Sequence, residues 1–264
     1  MSDRTIYINT CVYGTAKLDL VPDYDAKYGQ KIGFEILPMF DLKEYEEKLT
    51  PVLPVFRAHM ISFHGPVFCA EHSAKRGTDA YEETMWHVKK MFPYAKELHA
   101  RHFTMHLNNC EVLPEKKDEM LKNALENYLE LTELFAPIGC AIYVENTGTI
   151  QQKNMLLDQK EFTDLCREQQ FEVLIDIGHA HANGWDLIRL IDDLAPQIRA
   201  YHLHNNDGMR DLHSRLHEGT MDFDAVLSHI REKTPEADEI IEYVRTEQEG
   251  PGLQQDIEEL LQER

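Results

Sequence analysis

Hydrophobic and polar positions along the chain follow two alternating patterns. Short runs rich in β-branched and aromatic residues predict strands, and longer segments with apolar residues three and four apart predict amphipathic helices. Eight strands are predicted, at TIYIN (5–9), IGFEIL (32–37), HMISFH (59–64), FTMHL (103–107), AIYVEN (141–146), EVLIDI (172–177), IRAYHLH (198–204) and EIIEYV (239–244). The pattern therefore predicts a repeated β–α unit.

Helical spacing of apolar residues is clear in five of the segments between or after these strands. The residues that share a helix face are Leu42, Tyr45, Leu49 and Val52; Leu121, Ala124, Leu125, Tyr128, Leu129 and then Thr132; Leu187, Ile188, Ile191 and Leu194; Phe223, Val226, Leu227 and Ile230; and Leu253, Ile257, Leu260 and Leu261. We expect the Leu, Tyr and Phe positions to lie in the core. A helix after the first strand has little support because Pro22 interrupts it, and Pro51, Pro54 and Pro93 predict kinked or split helices.

No Gly/Ser linker, low-complexity tract or change of composition divides the 264 residues. A single α/β domain spanning residues 1–264 is therefore expected, since α/β barrels occupy about 250 residues. Eight strands alternating with helices fit either an open doubly wound sheet or a closed barrel, and periodicity alone does not distinguish these folds.

Polar residues at the ends of the predicted strands favour the closed barrel. Nearly every strand ends on a side chain that can bind a metal or transfer a proton, namely Glu35, His64, His106, Glu145, Asp176, His202 and Glu242. A lone histidine at a strand end is more often structural, and a lone glutamate is usually solvated. All strand ends of a (β/α)8 barrel surround one mouth, however, and burying so many carboxylates together is costly without a cation. The sequence therefore predicts a TIM barrel with a divalent metal ion.

Two loops add candidate ligands to this set. In DIGHAHANG (176–184), His179 follows Asp176 by three residues, which lets both side chains reach one mouth. In HLHNNDGMRDLHSRLHEG (202–219), Asp211 and His213 are two apart, so they project to the same side of an extended segment. His179, Asp211 and His213 could together form a further site.

Composition and charge narrow the classes of partner. The formal net charge of −20 opposes binding to nucleic acid, which relies on Lys and Arg, although most carboxylates are expected to be solvated. The sequence contains no apolar stretch long enough to span a membrane and no secretory signal pattern at its start. Its five cysteines are widely spaced, without a C-x-x-C pair, so neither a disulfide framework nor a thiolate zinc site is predicted. We expect a cytoplasmic protein.

Several motifs taken together resemble the xylose isomerase-like TIM barrel superfamily, which includes sugar isomerases, epimerases and endonuclease IV-type AP endonucleases. The motifs are FHGP (63–66), MHLNN (105–109), YVENTG (143–148), DIGHAHANG (176–184), YHLHNNDGMRDLHSRLHEGTMDF (201–223) and IIEYV (240–244). Each motif alone has little specificity, but their order and spacing are specific. Two positions depart from the usual pattern, because Asn205 stands where relatives often have Asp and His217 where they often have Gly.

The resemblance implies roles for the predicted site residues. Glu145, Asp176, His202 and Glu242 would bind the metal ion shared by the epimerases and the endonucleases. His64 and His106, with Glu145 bridging, would form a second metal site, and His179, Asp211 and His213 a third. The ligand types suit Mn, Mg or Co and tolerate Zn. His181, His204 and His217 are treated as outer or substrate-facing groups, and His204 and His217 are not counted among the ligands.

The leading functional hypothesis is a metal-dependent isomerase or epimerase of carbohydrate metabolism that acts on a sugar or sugar phosphate. Glu145 and Glu242 would transfer a proton beside a carbonyl through a metal-stabilised enediolate. His179 is expected to bind a substrate hydroxyl, and His64, His106 and Glu35 also to contact the substrate. The alternatives are a phosphodiesterase or AP endonuclease-like hydrolase and a dehydratase of keto-sugars or cyclitols. A non-catalytic sugar-binding module is least favoured, and the sequence leaves open whether the chain forms a homo-oligomer.

Overall fold

Eight parallel strands close into a barrel in the computed structural model, which describes residues 4–13, 15–244 and 251–262. The strands are β1 (Ile6–Asn9), β2 (Ile32–Ile36), β3 (Ile61–His64), β4 (His102–His106), β5 (Ala141–Glu145), β6 (Glu172–Asp176), β7 (Ile198–Leu203) and β8 (Asp238–Ile241). Each strand pairs in parallel with the next, and β8 pairs with β1 to close the ring. The predicted (β/α)8 barrel is confirmed, and each of the eight predicted strands is present.

Helices connect successive strands around the barrel, and a last helix follows β8. They are α1 (Val21–Tyr28), α2 (Tyr45–Phe56), α3 (Asp79–Glu97), α4 (Lys117–Phe135), α5 (Gln159–Gln169), α6 (Ile177–Ala182), α7 (Leu187–Leu194), α8 (Phe223–Lys233) and α9 (Pro251–Gln262). Short 3-10 helices lie at Thr10–Tyr13, Thr15–Leu20, Gly29–Lys31, Pro114–Lys116 and Ala136–Ile138. Among the described residues, no helix combines the length and apolar character needed to cross a bilayer.

Proline disrupts these helices less than the sequence predicts. Pro22 lies in the first turn of α1, where its missing N–H costs nothing, so the poorly supported helix does form. Pro51 and Pro54 lie inside α2, and Pro93 lies inside α3, yet each helix is continuous. Of the two predicted outcomes, a split is therefore wrong for both helices, and a kink stays a prediction. Both helices bury an apolar face, and such packing offsets the hydrogen bonds lost at proline.

The predicted core position of Leu129 is wrong, and Ile188, on another predicted helix face, is exposed as well. Leu129 on α4 is 62% exposed and Ile188 on α7 is 40% exposed. Each lies next to a more buried residue at the margin of its helix's apolar face, where the turn of 100° per residue carries the side chain toward solvent. The interior positions of the same helices, such as Ala124 and Leu190, are fully buried.

The two faces of each strand have different environments. Outward-facing residues such as Ile6, Ile8, Phe34 and Phe103 belong to the large core between barrel and helices. Tyr7, Leu174, Ala200 and Ile240, with Tyr143, form a small separate cluster inside the barrel. Side chains alternate along a strand, so the residue two positions after an interior residue also faces the inside of the barrel. This alternation brings Glu145, Asp176, His202 and Glu242 to the same mouth.

Candidate active site

The strand register places the predicted residues in one layer at the carboxyl end of the barrel. His106 lies opposite Glu145 in the β4–β5 pair, and Asp176 lies opposite His202 in the β6–β7 pair. His64 ends β3, and Glu242 directly follows β8. The side chains of all six are buried or nearly so, because the barrel wall surrounds them.

Four of these side chains converge on one point. Nδ1 of His202 lies 3.3 Å from Glu242 Oε2, 3.6 Å from Glu145 Oε2 and 3.8 Å from Asp176 Oδ2. Ligand atoms bound about 2.0–2.2 Å from one metal ion lie roughly 3.0–3.6 Å from one another, by simple coordination geometry. The spacing of the four groups is therefore close to that of a metal coordination shell.

Several atoms in this cluster are buried without a hydrogen bond from any described residue. They are both carboxylate oxygens of Glu145, Nε2 of His106, Nδ1 of His179 and Nδ1 of His202. His106 Nε2 is nevertheless 3.0 Å from Glu145 Oε2, and His179 Nδ1 is 3.2 Å from Glu145 Oε1. The pairs are thus close in distance but not aligned as hydrogen bonds. Since buried polar atoms are normally satisfied, this arrangement fits a shared cation between them.

Further groups of three potential ligands surround this point. Nε2 of His64 lies 3.8 Å from Glu145 Oε2 and 3.5 Å from Glu242 Oε1. The ligand atoms of His64, His106 and Glu145 lie within 4.8 Å of one another, and so do those of His179, Asp211 and His213. The structure therefore brings together the side chains predicted for a second and a third metal site.

Protonated imidazoles and carboxylates in this cluster stabilise each other's charge. Burial raises the pKa of Glu145, but the charges of His106 and His202 outweigh burial and hold this pKa well below its usual range. Burial likewise raises the pKa of Asp176, and the charges of His179 and His204 lower it to about 2. Burial lowers the pKa of His202, but the charges of Glu242 and Glu35 outweigh burial and raise this pKa well above its ordinary value. Burial also lowers the pKa of His213, but the charge of Asp211 outweighs burial and raises this pKa to about 9.

Glu35 has a different position from the one predicted. It is fully buried beneath His202, and its oxygens accept hydrogen bonds from Asn9 Nδ2 at 2.8 Å and Thr104 Oγ1 at 3.0 Å. Oε2 also lies 2.8 Å from His202 Nε2. The expected contact between Glu35 and substrate is therefore corrected, since neighbouring side chains occupy both of its oxygens. Glu35 instead orients His202 so that Nδ1 points to the other carboxylates.

Two residues that were not predicted as ligands, Asn9 and His204, contact the carboxylates of the cluster. Asn9 ends β1, and its Nδ2 is 2.8 Å from Glu35 and 3.1 Å from Glu242. His204 is fully buried, with Nε2 3.0 Å from Asp176, and its ring stacks on His213 at 3.9 Å between centroids. Asn9 could have been predicted in the same way as the other polar residues at strand ends. His204 could have been predicted because it lies two residues after His202 and therefore on the same face of the strand.

The remaining predicted outer histidines lie away from this cluster. His181 Nε2 lies 2.8 Å from Thr220, and exposed His217 Nε2 lies 2.8 Å from Glu259. Asn205, which departs from the usual pattern, donates from Nδ2 to Leu216 O and Met221 O at 2.7 and 3.2 Å. A carboxylate cannot donate these bonds, so asparagine suits the local structure of this loop.

A cavity of about 430 Å³ opens above the cluster. Its lining includes His64, His106, Glu145, His179, Asp211, His213 and Glu242 on the metal-capable side, amide side chains such as Asn108 and Asn154, and an apolar wall of Leu37, Met39, Val67, Phe68 and Val244. A larger depression of about 580 Å³ lies between α1 and α9. Its lining includes Lys27 and Glu258, which form an exposed ion pair, and it contains no comparable buried cluster within the described residues.

Comparisons with known proteins agree with the observed fold. A D-tagatose 3-epimerase-like protein has 17% identity and a TM-score of 0.75, and the match covers 98% of each chain. The IOLI protein with a bound zinc atom has 19% identity and a TM-score of 0.72, with 96% of this chain and 94% of that chain covered. An AP endonuclease, family 2, from Brucella melitensis has 18% identity and a TM-score of 0.70, with 94% and 96% covered.

At these identities the structural matches establish the fold alone, and a comparison with curated protein sequences found no match. A family model described as the xylose isomerase-like TIM barrel does match the sequence, over residues 32–263. This match covers β2 to β8 and therefore most of the barrel, including the strand ends that carry the cluster. The chain belongs to the xylose isomerase-like TIM barrel family.

Proposed function

We propose that the protein is a divalent metal-dependent isomerase or epimerase of an unphosphorylated sugar. The observation that carries this proposal is the convergence of Glu145, Asp176 and Glu242 on Nδ1 of His202, at 3.3–3.8 Å. Three carboxylates and one imidazole match the ligand preferences of Mn, Mg and Co, and Zn is also compatible. These four residues would hold the ion, and the orphaned oxygens of Glu145 support that assignment.

The site supports proton transfer at a carbon next to a carbonyl. The bound ion would supply electrostatic stabilisation of the negative charge that develops on the substrate's carbonyl oxygen. Glu145 is ionised at neutral pH because its pKa is low, so it can accept a proton. Glu145 ends β5 and Glu242 directly follows β8, and these strands lie on either side of β7, which carries His202. This arrangement would allow one glutamate to remove the proton and the other to return it. His179 would bind a substrate hydroxyl beside Glu145.

The lining of the cavity supports a sugar without a phosphate group. Asn108 lines it, and Asn108 Oδ1 is buried without a hydrogen bond among the described residues, so it can accept one from a hydroxyl. None of the described lining residues is Lys or Arg, the side chains that usually neutralise a phosphate. The net charge of −20 also disfavours a nucleic acid substrate. The proposed partner is therefore a neutral small molecule.

A second candidate, a metal-dependent phosphodiesterase, has one observation in its favour. The two additional groups, His64 with His106 and Glu145, and His179 with Asp211 and His213, could hold further ions next to the first. Clusters of two or three ions suit phosphoester hydrolysis because they stabilise both the attacking and the leaving oxygen. The absence of basic residues among the described lining makes this candidate weaker than the isomerase.

A substrate screen distinguishes the two candidates. Chelator-treated protein would be reloaded with Mn²⁺ and incubated with unphosphorylated ketoses and aldoses, with their phosphates, and with duplex DNA containing an abasic site. We expect NMR to detect interconversion of a free sugar that requires Mn²⁺ and is lost in Asp176→Asn, and we expect Glu168→Gln, a surface control on α5, to keep the activity. Cleavage of the DNA without any sugar conversion would overturn the proposal in favour of hydrolysis.

A further inference from the structure

A second kind of potential metal site lies on the outside of the barrel. Cys69 lies in the loop between β3 and α3, and Glu83 and His87 lie four residues apart on α3. Residues four apart share one face of a helix. One ligand atom from each of the three residues lies within 4.8 Å of the other two. A thiol, a carboxyl group and an imidazole therefore meet at one point near the surface.

His87 supplies the observation that separates this group from a chance surface cluster. The residue is 4% exposed, and its ring nitrogens make no hydrogen bond to any described residue. Trp86 contacts the ring at 4.8 Å between centroids. Burial lowers the pKa of His87 and outweighs the raising effect of Asp41 and Glu83. His87 is thus a largely buried imidazole without a hydrogen-bond partner among the described residues, and one of its ring nitrogens lies within 4.8 Å of the thiol and the carboxylate.

The chemistry of the three groups selects one type of ion. Zn²⁺ binds thiolate, imidazole and carboxylate at about 2.0–2.3 Å in a tetrahedron, which places ligand atoms about 3.3–3.7 Å apart. The side chains would need to approach by about 1 Å at most, by the same geometry. Cys69 and Glu83 are exposed and can make this adjustment without disturbing the core. Sulfur favours Zn²⁺ over Mn²⁺ or Mg²⁺, so this site and the oxygen-rich centre would select different metals.

We propose that Cys69, Glu83 and His87 form a peripheral zinc site that joins the loop after β3 to helix α3. The same loop carries Val67 and Phe68, which form part of the apolar wall of the cavity. An ion bound to Cys69 would restrain this wall directly beside Phe68. Water would fill the fourth position of the zinc tetrahedron, and the assignment does not depend on the reaction proposed for the barrel mouth.

Cobalt substitution tests this site specifically, because Co²⁺ bound to a thiolate has a charge-transfer absorption band in the near ultraviolet. Chelator-treated full-length protein, kept reduced with a phosphine, would be titrated with Co²⁺. We expect the band in the unmodified protein and in Cys110→Ser, which removes another exposed cysteine. We expect loss of the band in Cys69→Ser and at least tenfold weaker binding in Glu83→Gln. No band, or an unchanged band in Cys69→Ser, would overturn the proposal.

Thiol alkylation with Zn²⁺ as the probe provides a second measurement. Zinc is expected to slow the reaction of iodoacetamide with Cys69 at least tenfold and to leave the rate at Cys110 unchanged, as followed by peptide mass spectrometry. Equal rates at Cys69 with and without Zn²⁺ would contradict the site. Both experiments detect the thiol of Cys69, so a negative result would count against the zinc site and not against the proposed sugar reaction. A negative sugar screen would likewise not count against the zinc site.

Discussion

Residues at this barrel mouth orient one another through hydrogen bonds, and the pair of Glu35 and His202 is the clearest example. Glu35 is held by Asn9 and Thr104, and it accepts the Nε2 proton of His202. When a cation displaces the proton on Nδ1, this contact would keep the remaining proton of His202 on Nε2. A carboxylate beneath the cluster would therefore help to define the proposed metal centre.

Replacement of Glu35 by Gln tests this role. The amide keeps the shape of the side chain but removes the charge that favours the Nε2–H form of His202, so we expect metal affinity to fall about 10-fold to 100-fold. Isothermal titration with Mn²⁺ would measure the change, and circular dichroism would check the fold. Glu168→Gln, an exposed substitution on α5, serves as the control and should bind as the unmodified protein does. Unchanged affinity in Glu35→Gln would show that Glu35 does not orient the ligand.

The sequence predicted many site residues because position in the strand decides where a side chain points. His64, His106, Glu145 and Asp176 each end a strand, and in a closed barrel that position alone brings them to one mouth. Sequence position could not show that Glu35 lies below this layer. Its environment depends on Asn9, Thr104 and His202, which approach it from three other strands.

At the scale of elements, the junction between β6 and α6 shows how local structure and the site are coupled. Asp176 ends β6 and caps α6, since its Oδ1 accepts a hydrogen bond from the His179 backbone N–H at 2.7 Å. The His204 ring lies directly over Gly178, where an added Cβ would be 1.9 Å from its Cε1. The first turn of α6 therefore fixes Asp176, His179 and His204 together.

Gly178→Ala is expected to displace the His204 ring from Asp176 and to destabilise the protein by about 1–3 kcal/mol, the range for overpacking a buried site. Denaturant unfolding would measure the loss of stability. The matched test is the double variant Gly178→Ala/His204→Ala, in which the clash is absent. Its destabilisation should be clearly smaller than the sum of the two single effects. Strict additivity would mean that Gly178 is required for another reason.

The helices also show why element boundaries were harder to predict than the element order. Pro22, Pro51 and Pro54 have the same intrinsic effect on the backbone, but the first lies in a helix's first turn and the others lie inside α2. Sequence pattern gives the local penalty of proline, and tertiary packing decides whether a helix tolerates it. The order of strands and helices was predictable because it rests on many apolar positions at once.

At the scale of the whole molecule, the barrel concentrates charge of both signs in its interior although the chain as a whole is acidic. Glu145, Asp176 and Glu35 have lowered pKa values, and His202 and His179 have pKa values raised well above the ordinary value. A divalent cation that binds here must replace protons on the imidazoles. Metal affinity is therefore linked to pH and to folding stability.

This linkage predicts that Mn²⁺ stabilises the protein more at pH 8 than at pH 6. Because the pKa of His202 is raised, its imidazole holds a proton more tightly in the metal-free protein, so metal binding releases a proton and affinity should fall by up to about tenfold for each unit that pH decreases. Mn²⁺ at 100 times its Kd would add about 2.7 kcal/mol to the free energy of unfolding. Thermal unfolding at one fixed Mn²⁺ concentration, with a chelator control, measures this effect. An equal rise in Tm at both pH values would contradict the proposed ligand.

Solvent deuterium exchange tests the central claim, proton transfer by Glu145 and Glu242, most directly. The Mn²⁺-loaded protein would be incubated in D₂O with the sugar identified by the screen, and NMR would follow the hydrogen on the carbon beside the carbonyl. We expect deuterium to enter at that carbon, and we expect Glu145→Gln and Glu242→Gln each to slow product formation at least 100-fold, as loss of a general acid or base does. Conversion of the sugar without deuterium incorporation, together with full activity in both variants, would contradict the account.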